Sequence, residues 1–276
     1  CTTRVRFLFA SSPSTIQLEN PELAPAPGPV RHHVPYWRQA AAHLYFIAAG
    51  LQLTLRAARR GRRTASGERL HLHRRFARYI ALLERWGIIQ VEFSGFEQAA
   101  AWNGSVIAPN HPSILDAIIL CSRLPGLDCV MNSRLLRDPV MSGTAHLCGF
   151  IRNDTPLSMV RDTRDRLLAG HNVLIFPEGT RTKGCPVGSF RHGFALAAAR
   201  AGAPVRTVLI ECDSDYFGRN FNFFRPAPCP IRYRLTASQV FFPQIDEDAR
   251  ATSAEIEEFF HASLLRNENG VRRRAS

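Results

Sequence analysis

Asn110-His111-Pro112-Ser113-Ile114-Leu115-Asp116 is the segment from which the rest of the sequence can be interpreted. It follows the apolar run 106–108, which is typical of a short buried strand. Asn110 suits a helix N-cap, and Pro112 suits the first helical position because proline has no N–H to leave unpaired there. The apolar residues that follow supply the inward face of a helix. The sequence therefore predicts that His111 lies where a strand passes into a helix, a common place for reactive side chains in α/β folds.

His111 and Asp116 are candidate partners, although their spacing does not suit a continuous helix. Inside one helix, residues five apart point about 140° away from each other. The two side chains can meet if His111 precedes the first turn and Asp116 lies one turn inside. The carboxylate then accepts a hydrogen bond from one imidazole nitrogen and leaves the other free to act as a base. The alternative is a capping histidine beside a surface aspartate.

A second segment joins an apolar run to a charged turn. The run Val173–Phe176 predicts another buried strand, and Pro177-Glu178-Gly179-Thr180-Arg181-Thr182 follows it directly. An anionic side chain, a cationic side chain and a hydroxyl on a glycine-containing turn suit a polar substrate that carries a phosphate. An ordinary ion-paired turn is the alternative interpretation.

Together, the two segments resemble the signatures of the glycerolipid acyltransferase family, which includes the 1-acyl-glycerol-3-phosphate acyltransferases. The signatures are His-x-x-x-x-Asp, here His111 to Asp116, and Phe-Pro-Glu-Gly-Thr-Arg, here Phe176 to Arg181. The resemblance covers about residues 88–212. It implies that His111 is a general base supported by Asp116. It also implies an acceptor site made by Glu178, Gly179, Thr180 and Arg181, with Arg152 as a further phosphate contact.

The expected reaction moves a fatty acyl group from a thioester, acyl-CoA or acyl carrier protein, to the free hydroxyl of a lysophospholipid. With 1-acyl-glycerol-3-phosphate as acceptor, the product is phosphatidic acid. Ser113 lies on the same turn as His111, and no Gly-x-Ser-x-Gly elbow occurs, so a serine nucleophile is not expected. No cofactor or metal is expected, since the histidines show no His-Glu-x-x-His spacing.

Two departures from the family leave other substrates open. Relatives often carry lysines where this chain has Asn132 and Ser133, and a proline in a later strand where it has Arg206-Thr207. A different lipid acceptor or a specialised, polyene-type acyl chain is therefore an alternative. A lipase- or thioesterase-like hydrolase is a second alternative. A non-catalytic basic binding protein would explain the charge but not the two motifs.

The charge is strongly basic, because 35 Lys and Arg against 23 Asp and Glu give +12 at pH 7. Such a chain favours anionic partners. No zinc-finger spacing or RNA-binding aromatic signature is evident, so an anionic membrane surface is preferred to nucleic acid. The seven cysteines are scattered singly without Cys-x-x-Cys, which indicates no disulfide framework and favours a reducing, cytoplasmic setting.

A membrane-associating segment is expected ahead of the catalytic part. Residues 39–55 are the most apolar stretch, and arginines follow at 56, 59, 60, 62 and 63. Seventeen residues are short for a bilayer span of about 20, so a helix in the membrane interface is preferred, then a span, then an ordinary core helix. Residues 70–86 follow as an amphipathic helix with a basic face. The expected location is the cytoplasmic face of the inner membrane, peripheral or with a single N-terminal span.

The expected fold is α/β, with a largely parallel central sheet and helices on both faces, of the glycerol-3-phosphate acyltransferase type and preceded by N-terminal membrane-associating helices. Two short strands are predicted near its end, at 231–235 and 240–242. The predicted organisation is a flexible leader (1–35), a membrane-associating helical segment (36–87), an acyltransferase domain (88–268) and a basic tail (269–276).

Overall fold

The computed structural model describes residues 34–60, 66–148, 150–183, 186–218 and 226–275. The predicted leader, except for its last two residues, and the arginines at 62 and 63 lie outside these ranges. The strands are β1 (Ile89–Ser94), β2 (Val106–Pro109), β3 (Asp128–Met131), β4 (Ile151–Arg152), β5 (Val173–Leu174), β6 (Val205–Cys212) and β7 (Ile231–Phe241). The helices are α1 (Tyr36–Arg60), α2 (Ser66–Arg85), α3 (Asp116–Arg123), α4 (Ser142–Cys148), α5 (Pro156–Leu168), α6 (Gly193–Ala201) and α7 (Ala249–Ala275). Two short 3-10 helices cover Ala99–Ala101 and Ser133–Arg137.

The described strands form one sheet in the order β1-β7-β6-β2-β5-β3-β4. All neighbouring pairs are parallel except β6 and β7, which are antiparallel. The expectation of a largely parallel α/β sheet is confirmed. Since the carboxyl ends of β2 and β5 lie at one edge of the sheet, the two motif segments that follow these strands emerge side by side.

Strand β7 corrects the prediction of two short strands near the end of the chain. It runs unbroken from Ile231 to Phe241, because the polar residues between the two apolar patches pair with β6 on one side, and β1 pairs with the first half. The β6–β7 register shifts between Arg206 and Val208.

The sheet buries both faces under helices. Ile107 of β2 belongs to a core cluster with side chains of α2 and α3, such as Leu83 and Ile119. Its neighbours Val106 and Ala108 point the other way, into a second cluster with side chains of α5, α6 and α7. Strand β2 is therefore apolar at every position, as a central parallel strand must be.

Helix α1 packs on the protein through a side that carries both apolar and polar residues, and it leaves other apolar side chains exposed. Gln39 is buried and accepts a hydrogen bond from the Ala227 N–H at 2.9 Å, and Thr54 donates to the Pro139 carbonyl at 2.7 Å. By contrast, Trp37 and Leu44 are each 62% exposed. Among the described residues, none of the helices combines the length and the apolar character that crossing a bilayer requires.

Helix α2 is joined to the start of β3 by a buried ion pair. Arg69 Nε lies 2.9 Å from Asp128 Oδ1, and Asp128 has no exposed surface. Arg166 of α5 approaches the other carboxylate oxygen at 3.8 Å. Burial raises the pKa of Asp128, while the two guanidinium groups oppose that rise. This pair therefore links the N-terminal helices to the sheet at the edge opposite the motif segments.

Candidate active site

The segment between β2 and α3 is an irregular turn rather than the start of a helix. Helix α3 begins at Asp116, four residues later than the first helical position predicted at Pro112. Asn110 is not an N-cap, so that prediction is wrong. Its side chain donates to the Ile210 carbonyl at 2.9 Å and accepts from the Ile210 N–H at 2.7 Å. Asn110 thus fastens the end of β2 to β6 and fixes where His111 leaves the sheet.

This turn brings His111 and Asp116 into contact. His111 Nδ1 lies 2.9 Å from Asp116 Oδ2, which also accepts the Ser113 N–H at 2.8 Å. Asp116 is completely buried, and this burial raises the pKa of its carboxyl group, while the His111 and Ser113 hydrogen bonds oppose the rise. If Nδ1 carries the proton donated to Asp116, Nε2 is left as an unprotonated base.

His111 is also held by the second motif segment. Its ring stacks on Phe176 with 3.8 Å between ring centroids. Its N–H donates to Glu178 Oε1 at 3.1 Å, and its carbonyl accepts the Thr182 N–H at 2.8 Å. The two sequence motifs therefore form one structural unit at the carboxyl edge of the sheet.

Glu178 lies inside this unit rather than against open space. It is buried, and its carboxylate accepts hydrogen bonds from the His111 N–H, from Thr182 Oγ1 at 2.7 Å and from the Gly188 N–H at 2.9 Å. It does not line the adjacent cavity. The geometry therefore supports a role for Glu178 in shaping the turn. The resemblance implied that Glu178 contacts the acceptor, but the structure does not place it at the cavity.

Gly179, Thr180 and Arg181 do line the cavity beside His111. Gly179 has a φ of +65°, and a Cβ there would lie 2.9 Å from Arg191 Nε, so this position requires glycine. Arg181 donates a hydrogen bond from Nη1 to the Gly218 carbonyl. Arg181, on the Glu-Gly-Thr-Arg turn, and Arg191, whose side chain packs over Gly179, therefore both line the cavity that His111 lines.

Arg152 is not brought into this site. Its side chain is 60% exposed and pairs with Asp154 at 2.8 Å, and it does not line the cavity. Arg134, Arg191 and Arg200 line the cavity instead, although none of them belongs to the two sequence motifs. Arg134 had a local sequence signal, because it lies with Arg137 in the basic segment Ser133–Arg137 shortly after β3.

The cavity has a volume of about 1280 Å³ and a mainly apolar wall. Its apolar side chains come from both N-terminal helices and from the domain beneath them: Phe46, Ile47, Phe76, Tyr79, Ile118, Met159, Val160, Phe194 and Phe217. This exceeds the roughly 300–1,000 Å³ of ordinary small-molecule pockets. A long apolar chain with an anionic end fits this combination of apolar wall and basic residues.

No metal site is present in the described part of the chain, and the four cysteines whose side chains are described are unbridged. The described residues hold no group of three or more His, Cys, Asp or Glu side chains that could bind a metal ion. Cys121, Cys129, Cys212 and Cys229 are free thiols. Burial raises the pKa of Cys212 to about 12 and that of Cys229 to about 11.

Comparison with known proteins points to one family. The model of the Acyltransferase family matches residues 90–211. Human 1-acyl-sn-glycerol-3-phosphate acyltransferase alpha is 25% identical over 154 residues, covering 52% of this chain and 53% of that protein. The human beta protein of the same name is 27% identical over 184 residues, covering 60% and 63%. The chain spans about half the length of the first of these relatives.

A solved structure shares the fold. The crystal structure of the 1-acyl-sn-glycerophosphate acyltransferase PlsC from Thermotoga maritima superimposes with a TM-score of 0.63. The match covers 84% of this chain and 94% of that one, at 18% sequence identity. At this identity, the likeness shows the architecture that both chains share and leaves the chemistry to the residues of the site.

Proposed function

We propose that the chain, whose residues 90–211 match the Acyltransferase family, is a glycerolipid acyltransferase that transfers a fatty acyl group from a thioester to the free hydroxyl of a lysophospholipid. The preferred acceptor is 1-acyl-glycerol-3-phosphate, which would give phosphatidic acid. One observation carries the proposal: the His111–Asp116 hydrogen bond of 2.9 Å lies at a cavity that also contains Arg181 and Arg191. A base, a cationic group and an apolar wall are what this reaction requires.

His111 acts on the acceptor in this proposal. Its free Nε2 takes the proton of the acceptor hydroxyl as the oxygen attacks the thioester carbonyl. The new C–O bond forms and the C–S bond breaks. The imidazolium then gives the proton that it took from the hydroxyl to the departing sulfur. Asp116 orients the ring and stabilises its positive charge while the proton is on it.

Arg181 and Arg191 bind the phosphate of the acceptor. A guanidinium donates two parallel hydrogen bonds to phosphate oxygens, a geometry that an ammonium group cannot reproduce. Gly179 and Thr180 place the backbone close to the same space. Glu178 contributes by holding the turn, through its bonds to His111, Thr182 and Gly188.

In this proposal the enzyme lies on the cytoplasmic face of an anionic membrane and contacts the lipid through helix α1. Its outward side carries the exposed apolar residues Trp37, Leu44, Tyr45, Ile47, Leu51 and Leu55. Ile47 also lines the cavity, so the outer face of α1 is continuous with the cavity wall. An amphiphilic acceptor could then pass from the lipid to His111 without exposing its acyl chain to water.

An acyl-transfer assay tests the proposal. The purified chain is offered acyl-CoA or an acyl-carrier-protein thioester, each with lysophosphatidate, monoacylglycerol or lysophosphatidylcholine in vesicles, and products are read by mass spectrometry. The expected result is phosphatidic acid from lysophosphatidate, and its loss in a folded His111→Ala variant. If only one of the other acceptors were acylated, that lipid would replace lysophosphatidate as the proposed substrate. Thiol release independent of any acceptor would instead support a hydrolase.

A further inference from the structure

Tyr233 lies beneath the catalytic turn, and neither the sequence motifs nor the mechanism above uses it. It is in β7, and its side chain is only 1% exposed. Its hydroxyl oxygen lies 2.8 Å from Ser113 Oγ. The two residues are 120 positions apart in sequence, so this hydrogen bond connects the sheet directly to the turn that carries His111.

Ser113 transmits this contact to the catalytic pair. Its Oγ accepts the Leu115 N–H at 3.0 Å, and its own N–H donates to Asp116 Oδ2 at 2.8 Å. The same Asp116 oxygen holds His111 Nδ1 at 2.9 Å. Three short hydrogen bonds therefore run in sequence from Tyr233 to Ser113, to Asp116 and to His111.

The Tyr233 hydroxyl can act only as a neutral group. Burial raises its pKa well above the ordinary value, and burial also raises the pKa of Cys212, which lies beside it on β6, to about 12. The tyrosine hydroxyl therefore brings no charge to Asp116. Any influence on the reaction must come through the geometry of the turn at 111–115, which precedes α3 and is not helical.

We infer that Tyr233 is a positioning residue for acyl transfer, acting through Ser113 to hold the Asp116 carboxylate against His111. This inference rests on the proposed function. The hydroxyl of Tyr233 fixes Ser113, and Ser113 fixes the carboxylate oxygen that orients the imidazole. The contact supports the rate of the chemical step and leaves substrate binding unaffected, because Tyr233 and Ser113 do not line the cavity.

Tyr233→Phe tests this inference, with Thr207→Val as the matched control. Thr207 is also buried, and its hydroxyl donates a 2.8 Å hydrogen bond to the Gln239 carbonyl, away from His111. Both variants should lower the thermal unfolding midpoint by ~2–4 °C. Only Tyr233→Phe should lower kcat, by ~3- to 10-fold, with KM for both substrates unchanged.

Ser113→Ala removes the same hydrogen bond by deleting the Ser113 hydroxyl. If Tyr233 acts through Ser113, the variant that combines Ser113→Ala with Tyr233→Phe should have the kcat of Ser113→Ala alone, within about twofold. Multiplying effects, an unchanged kcat in Tyr233→Phe, or an equal fall in Thr207→Val would each overturn the inference. A wild-type protein without acyl transfer would instead refute the proposed function, so the two failures are distinguishable.

Discussion

Replacing Asp116 with asparagine separates the charge of this residue from its geometry. Asp116 Oδ2 accepts hydrogen bonds from His111 Nδ1 at 2.9 Å and from the Ser113 N–H at 2.8 Å, whereas Oδ1 is buried without a hydrogen-bond partner in the described structure. An asparagine can keep its carbonyl oxygen at the Oδ2 position and place its amide nitrogen where Oδ1 was. The ring should then keep its orientation while the negative charge is lost.

The size of the effect follows from the charge on the imidazolium. A hydrogen bond to a charged group contributes about 1–2 kcal/mol more than a neutral one. Two unit charges about 4 Å apart attract each other by about 4 kcal/mol at an effective dielectric constant near 20. A loss of about 2–4 kcal/mol in the transition state corresponds to a fall in kcat of ~30- to 1,000-fold. KM should change little, because Asp116 does not line the cavity.

Steady-state kinetics of phosphatidic acid formation measure this prediction, with Asp128→Asn as the control. Asp128 is equally buried and ion-paired, but its partners are Arg69 and Arg166 rather than the catalytic histidine. The control variant should lose stability and keep kcat. A kcat for Asp116→Asn within threefold of wild type, or a large rise in KM, would refute the role given to this carboxylate.

Three further predictions concern the acceptor site and the core. Arg181→Ala should raise KM for a phosphate-bearing acceptor by ~10- to 100-fold and leave a phosphate-free acceptor unaffected; equal effects on both would contradict the assignment. Arg69→Met should lower the free energy of unfolding by about 3 kcal/mol at pH 8, since Asp128 loses its cation at 2.9 Å. Because burial already raises the pKa of Asp128, its carboxyl group in the folded variant takes up a proton as the pH falls, and the unpaired charge disappears. Urea titrations should therefore show that Arg69→Met lowers the free energy of unfolding less at pH 5 than at pH 8; a larger decrease at pH 5 would contradict this account. Native Cys212 and Cys229, with pKa values raised to about 12 and about 11, should resist iodoacetamide at pH 8.5 and react in urea, as read by peptide mass spectrometry; native labelling at the rate of a free thiol would contradict it.

Local sequence patterns were sufficient to predict the parts of the site that local structure determines. The apolar runs 106–108 and 173–176 located strands β2 and β5, although β5 ends at Leu174, and the structure places the two strands side by side. The meeting of His111 and Asp116 needed only a turn ahead of the helix, because a turn can bring residues five apart into contact. Gly202, directly after the alanine-rich helix α6, adopts the left-handed conformation with φ of 59°, as a glycine at a helix end commonly does.

Long-range partners could not be predicted from such patterns. Asn110 is of a residue type that favours N-caps, but its side chain hydrogen-bonds to the backbone of Ile210, 100 residues away. Glu178 is a charged residue in a motif that suggested substrate contact. In the folded chain, however, N–H and O–H donors of the protein itself bind its carboxylate. Arg191 belongs to the site only because it packs on the space left by Gly179, which no spacing rule reveals.

The most direct test of the account is the rate of acyl transfer from a radiolabelled thioester to lysophosphatidate, by wild-type protein and by His111→Ala, with folding checked by circular dichroism. The wild-type protein should form phosphatidic acid, and the folded variant should be slower by ~10²- to 10⁴-fold, the usual contribution of a general base. A folded His111→Ala variant that transfers the acyl group within threefold of the wild-type rate would contradict the central claim that this imidazole deprotonates the acceptor.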